Sequence, residues 1–350
     1  MAIKKYSRHK SAHKSAYKSK RNATNKHNKV LNALPVKIVK PVKSVKPTNS
    51  TNSKSLCAPF ISPKNLSTST SLDNQNMNII KSATSHSCFT IDSLQKIADK
   101  WNSSHPDKRI TYTNKTTGSE LWNSINRMMS SVCNNEVCWV RQEFLKGTPL
   151  SAKLLKNFKP IMPKSWNANK YQWLNTLDIR DVMNQYEIVY KDFEFIGPVP
   201  MDFDTVLGFG QCVINELCKV NLGQLIEKGK KKLGVVFNLD KHTQSGSHWV
   251  AMYLDYDIGD IYYWDSYGIH PCTEVTKLMN RLKEQGAKLG KSLTIKINKQ
   301  RHQYKNSECG VYCIYFITSL LAGDKFTSIT QNIINDDKMN SKRNEFFIKV

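Results

Sequence analysis

The chain has 350 residues, room for two domains or for one domain with extensions, and a net charge of +24. The charge is uneven: 16 lysines and arginines and no acid precede Asp73, so any polyanion it attracts is met by the first fifth of the chain. No apolar run approaches the roughly 18 residues of a membrane-spanning helix, and nine cysteines, an odd number without a secretory apolar stretch, point to free thiols in a reducing compartment.

Residues 1–75 are rich in Lys, Ser, Asn and Thr and poor in aromatics. Such a segment cannot bury enough apolar surface to offset chain entropy, and it reads as a disordered basic tail. Its PVKIVKPVKSVKP stretch reads as an extended spacer. The partner expected here is nucleic acid, held non-specifically through phosphate charge. Lys18-Ser19-Lys20-Arg21 is a weak nuclear-import signal.

From about residue 84 the composition changes. Leu94, Ile97 and Trp101 recur at helical spacing after a cap at Thr90 or Asp92, and Leu121, Ile125 and Met128 repeat the pattern. CWVRQEFL and SAKLLKNF add shorter apolar pieces, so residues 84–165 read as a helical N-terminal extension. Cys133 with Cys138, and Cys212 with Cys218, lack the spacing of common zinc sites and read as buried thiols.

The remaining domain, 166–350, opens with an amphipathic helix marked by Ile179, Val182, Met183 and Tyr186, and FEFIGPVP then reads as ending in a Gly-Pro turn. GQCVINELCKVNLG is expected to be one helix, and KLGVVFNLD a strand that pairs with HWVAMYLDY. A turn at Asp257–Asp260 returns the chain as IYYWD. TEVTKLMNRLKEQGAKLG carries Val275, Leu278, Met279 and Leu282 on one helical face, LTIKIN alternates as a strand, and CGVYCIYFITSLLA is a buried helix. Residues 324–350 carry no clear pattern.

Four side chains in this domain form the set that thiol acyl transfer needs. Cys309 opens a helix, where backbone N–H groups and the macrodipole favour a thiolate. His248 starts a strand, and the returning strand brings Asp265 back to hold the imidazole by its second nitrogen. Gln303, in the polar loop RHQYKNSE, is free to donate its amide to an oxyanion.

The HW strand, the WDS strand end and Q-x5-CG-x2-C resemble the ubiquitin-like-protein (SUMO-type) cysteine protease family and its viral relatives, including adenovirus protease. The steps of 17 residues from His248 to Asp265 and 6 from Gln303 to Cys309 agree, and Glu308 stands where an aspartate is common. The resemblance covers about residues 166–325. SCF, the C-x-x-E-x-CW stretch and FIGPVPMDFD extend it to about 84, in the version carried by nucleocytoplasmic large DNA viruses of the mimivirus type. It implies an α+β, papain-related core with a mixed sheet flanked by helices, and a cysteine protease that requires no cofactor or metal. His248 is then the base, Asp265 the orienting acid, Gln303 the oxyanion donor and Cys309 the nucleophile.

The resemblance also implies that Trp173 and Trp249 form a narrow substrate slot. Only residues without a Cβ pass between two indoles in extended form, so the expected substrates are proteins with Gly-Gly sites. The expected task is processing of structural precursors during virion assembly, in the virion and in the cytoplasm of an infected host cell. Two alternatives belong beside it: deconjugation of a ubiquitin-like modifier, and a nucleic-acid-binding virion protein with a non-catalytic protease fold. The chain contains no Gly-Gly pair, so maturation by cutting itself at such a site is not expected.

Overall fold

A computed structural model describes residues 56–59 and 87–349. The expected basic tail therefore lies outside the described residues, apart from 56–59.

The helical layer forms where caps and apolar spacing direct it. Helix α1, Ile91–Ser104, starts at Thr90, whose side chain accepts from the Ser93 N–H. Helix α2, Gly118–Met129, starts with a capping box in which Thr117 and Glu120 satisfy each other's backbone N–H. Met129, four residues after Ile125, completes its buried stripe rather than Met128. Two short helices follow, α3 at Glu136–Val140 and α4 at Pro149–Leu155. Leu94, Ile97, Leu121, Ile125 and Trp139 pack with Phe89 and Phe158 in one core.

The expectation of free thiols fails. Disulfides join Cys57 to Cys88, Cys133 to Cys138 and Cys212 to Cys218, leaving Cys272, Cys309 and Cys313 free. The physical reason is local: the turn from α2 into α3 doubles back and sets Cys133 and Cys138 5.5 Å apart at Cα, within bonding range. A count of cysteines carries no information about such turns. Cys57–Cys88 also fastens residue 57 to the helical layer, inside the span expected to be tail.

Helix α5, Thr176–Val189, buries Ile179, Val182 and Met183 as its spacing predicts. The Gly-Pro step that follows is no chain reversal. Phe193–Pro200 forms β1, an edge strand, with a cis Gly197–Pro198 bond and a register shift between Ile196 and Val199. Proline has no N–H for a ladder, and an irregular edge strand tolerates that. The single helix expected next is two short ones, α6 at Asn215–Cys218 and α7 at Leu222–Glu227. Two asparagines divide it: Asn215 turns its side chain back to the Cys212 N–H, and Asn221 caps α7.

Strands β2 (Lys232–Asn238), β3 (Trp249–Asp255) and β4 (Asp260–Trp264), helix α8 (Thr273–Lys288) and strand β5 (Thr294–Ile297) follow. The five-stranded sheet has the order β1-β2-β3-β4-β5. Its outer pairs are parallel and its inner pairs antiparallel.

Strand alternation sends Val250, Met252 and Leu254 to one face, with Val275, Leu278, Met279 and Leu282 of α8. Trp249, Ala251 and Tyr253 face the other side, with α5 and helix α9, Cys309–Leu321. The sheet thus has helices on both faces, and β3 is buried along its whole length. Val311, Ile314, Phe316 and Ile317 of α9 are wholly buried, each worth roughly 1.5–3 kcal/mol. Helix α9 is therefore firmly seated, and the thiol in its first turn with it.

The closing residues, patternless in the sequence, form α10 (Phe326–Gln331), α11 (Asp336–Ser341) and α12 (Arg343–Phe346). Among the described residues no helix is long and apolar enough to cross a membrane.

Candidate active site

The β3–β4 hairpin assembles the first pair. Its turn uses Gly259 at φ +85°, a conformation that favours glycine. Continuing the register that pairs Ala251 with Trp264 sets Asp265 opposite Val250 and on the same face as His248. His248 Nε2 meets Asp265 Oδ1 at 2.8 Å, and the carboxylate, 1% exposed, also accepts the Tyr267 N–H at 2.8 Å. The Tyr267 ring stacks on the imidazole, centroids 4.5 Å apart.

With Nε2 taken by Asp265, Nδ1 is the ring nitrogen left over, and Cys309 acts on the charge of the imidazole. Burial opposes charge on His248, but the hydrogen bonds and charges of Asp265 and Cys309 outweigh it and lift the pKa to about 9. At neutral pH the imidazole therefore carries its proton.

Gln303 is wholly buried. Its backbone N–H and that of His302 donate to the Ser266 carbonyl at 2.9 and 2.8 Å, and its side-chain Oε1 accepts from the Ser266 hydroxyl at 2.6 Å. The Nε2 group is thereby turned away from Ser266 and has no partner. An unmade buried donor costs about 1–3 kcal/mol, and the protein itself supplies no acceptor for this one.

The sequence reading did not identify the groups that hold this arrangement. Asp336 Oδ2 accepts the backbone N–H groups of Tyr304 and Lys305, both at 2.9 Å, which pins the loop carrying Gln303. Glu308, beside the thiol, would oppose a thiolate if its charge stood alone. It is instead paired through Oε2 with Arg343, Nε at 3.1 Å and Nη2 at 3.0 Å, and its other oxygen takes Ser307 and Asn340. Arg343 and Asp336 lie in a region with no sequence pattern, and no spacing rule points to them. Ser266 had a signal, its place directly after Asp265.

The two tryptophans lie in one region. The Trp249 indole N–H donates to the Leu174 carbonyl at 3.0 Å, next in sequence to Trp173, whose side is two-fifths exposed. Leu174 also seats on Gly310, where an added Cβ would meet the Leu174 Cβ at 3.0 Å. Glycine thus brings the Trp173–Leu174 segment against the first turn of α9. Among the described residues no cluster of three His, Cys, Asp or Glu side chains could hold a metal ion.

Residues 229–349, which contain His248, Asp265, Gln303 and Cys309, match the Ulp1 protease family, C-terminal catalytic domain. A protein of Acanthamoeba polyphaga mimivirus that carries the name thiol protease is 30% identical over 279 residues, spanning 75% of this chain and 89% of that protein. The chain belongs to the Ulp1 protease family. The SUMO-1 cysteine protease of African swine fever virus is 27% identical over 258 residues, 69% of this chain and 93% of that protein. A crystal structure of the African swine fever virus protease superposes with a TM-score of 0.55 at 22% identity, over 85% of this chain and 97% of that one. The mixed sheet flanked by helices is thus the fold of this Ulp1-family cysteine protease, as the motifs implied.

Proposed function

We propose that this chain is a thiol endopeptidase that cleaves after small residues, Gly-Gly first among them. The observation that carries the reading is the unpartnered, buried Gln303 amide, held by Ser266 on the loop that leads into Cys309. In the resting site the thiol's proton already resides on His248, so a Cys309 thiolate stands beside an imidazolium oriented by Asp265. The sulfur attacks the scissile carbonyl, and the oxyanion takes hydrogen bonds from Gln303 Nε2 and the Cys309 backbone N–H. The imidazolium then protonates the departing amine, leaving a thioester. Water gives a proton to His248 and attacks the thioester, which restores the thiolate and the imidazolium.

Trp173 and Trp249 form the substrate slot, a reading supported by the hydrogen bond that ties Trp249 to Leu174. The viral sources of the relatives support a role in processing virion precursors. Residues 1–75, with their excess of Lys, would keep the enzyme near nucleic acid in the virion or the infected cell.

The test is a fluorogenic panel, Gly-Gly-X against Ala-Ala-X and Leu-Gly-X, turned over by wild type and by Cys309→Ala. Turnover confined to Gly-Gly-X and lost in the variant is expected. A second reading, deconjugation of a ubiquitin-like modifier, draws on the name of the African swine fever virus relative. Cleavage of an intact modifier fusion with no turnover of any peptide would favour it.

A further inference from the structure

Arg301 is an exposed cation on the loop that carries Gln303, and it is unusually well held for a surface arginine. Its Nε donates to the Gln303 carbonyl at 2.8 Å. Its guanidinium carbon lies 5.4 Å from the centre of the Tyr267 ring and 4.7 Å from that of Tyr304, itself 67% exposed. Tyr267 is fixed in turn, by its stack on His248 and by its hydroxyl on the Lys305 carbonyl at 3.2 Å. Among the described residues no carboxylate stands within ion-pairing distance of Arg301, and its terminal nitrogens donate to no protein acceptor.

A long charged side chain ordinarily loses rotamer freedom when it binds, and that loss cancels much of a surface ion pair. Here the loss has been met in advance by one backbone bond and two aromatic faces. The free end is a planar fork whose geometry matches a carboxylate.

The position of the fork says which part of a substrate it reads. Trp249, the first residue of β3, packs in one core with Cys309, whereas His248, just before the strand, bonds Asp265 and stacks on Tyr267. If Trp173 and Trp249 form the slot proposed above, the tryptophan side holds the acyl half of the substrate. The departing amine takes its proton from His248, so the leaving segment runs past the imidazole and over Tyr267, where Arg301 waits.

We propose that Arg301 is a specificity-determining residue that binds the carboxylate of an Asp or Glu side chain in the leaving segment, just beyond the scissile bond. The assignment rests on the endopeptidase reading above. It makes the preferred site a small pair followed by an acidic residue, and it gives Tyr267 two tasks, covering His248 and flooring the acid-binding fork.

The experiment is cleavage of a proteome-derived peptide library, which assumes nothing about Gly-Gly, by wild type, Arg301→Gln and Arg301→Glu. New amino termini are read by mass spectrometry. Wild type is expected to enrich Asp and Glu over Asn and Gln at one leaving-side position by roughly tenfold, the scale of one charge-assisted contact. Arg301→Gln loses the enrichment whatever its overall rate, and Arg301→Glu shifts it to Lys and Arg. Equal use of acids and amides by wild type, or an acid preference that survives in Arg301→Gln, overturns the assignment and leaves the protease reading intact. Absence of any Cys309-dependent cleavage removes both.

Discussion

The Ser266 hydroxyl donates to Gln303 Oε1 at 2.6 Å, and this bond decides which end of the buried amide is left without a partner. Ser266 touches no reacting atom in the proposed mechanism and is a positioning residue. Ser266→Ala is expected to lower kcat with KM little changed, by less than the roughly 10²–10³-fold expected when the donor itself is removed in Gln303→Ala. Ser266→Thr, which keeps the hydroxyl, should restore most of the loss. Steady-state kinetics of the three variants check this, and a wild-type kcat in Ser266→Ala would remove the orienting role.

The raised pKa of His248 links pH to both stability and rate. Its folded value of about 9 exceeds the unfolded value of about 6.5. The native state therefore binds this proton more tightly, and the stabilisation is full below about pH 6.5 and lost as pH rises through about 9. Asp265→Asn removes one of the two supports of the imidazolium, Cys309 being the other, so wild type should be the more stable of the two near pH 6 and the gap should close near pH 10. Turnover by wild type should fall over the same rise, as His248 loses the proton it gives to the leaving amine. Denaturant titrations across this range check the first point, and a gap that widens with pH would contradict it.

The Glu308–Arg343 pair is almost entirely buried, at 1% and 4% side-chain exposure. Arg343→Ala leaves a carboxylate in the interior with its cation gone, a change that typically costs about 3–5 kcal/mol. The double variant Glu308→Leu with Arg343→Met should recover much of that stability. Its thermal melt is the deciding measurement, because a double variant no more stable than Arg343→Ala would show that packing, not charge, holds this corner.

Gly310→Ala sets two effects against each other. Alanine favours a helix by about 1 kcal/mol over glycine, while the new Cβ meets the Leu174 Cβ at 3.0 Å and must push it by a few tenths of an ångström. Stability should then change by less than about 1 kcal/mol. The displaced Leu174 carries the carbonyl that holds Trp249, so the preference for Gly-Gly over Ala-Ala peptides should relax. An unchanged preference would separate Gly310 from the slot.

The core strands, the long helices and the reach of Asp265 to His248 were legible because each follows from local alternation or helical spacing. Cys309 at the head of an apolar run was equally visible. FEFIGPVP misled because a Gly-Pro step ordinarily turns the chain, and only its place at the sheet edge permits a strand. The disulfides depend on where turns bring Cα atoms, and Asp336 and Arg343 act from more than 30 residues away on backbone groups and a carboxylate. Neither kind of contact leaves a periodic trace in sequence. The held state of Arg301 was hidden for the same reason, since Tyr267 reaches it from another strand end.

The order in which these contacts are synthesised separates having the reactive groups from having their supports. When Cys309 is joined to the growing chain, His248, Asp265 and Gln303 have already been made, whereas Asp336, which pins the Gln303 loop, and Arg343, which neutralises Glu308, have not. The nascent chain thus carries all four proposed catalytic side chains beside an unpinned loop and an uncompensated acid. In the proposed mechanism, competence to cut therefore waits on α11 and α12.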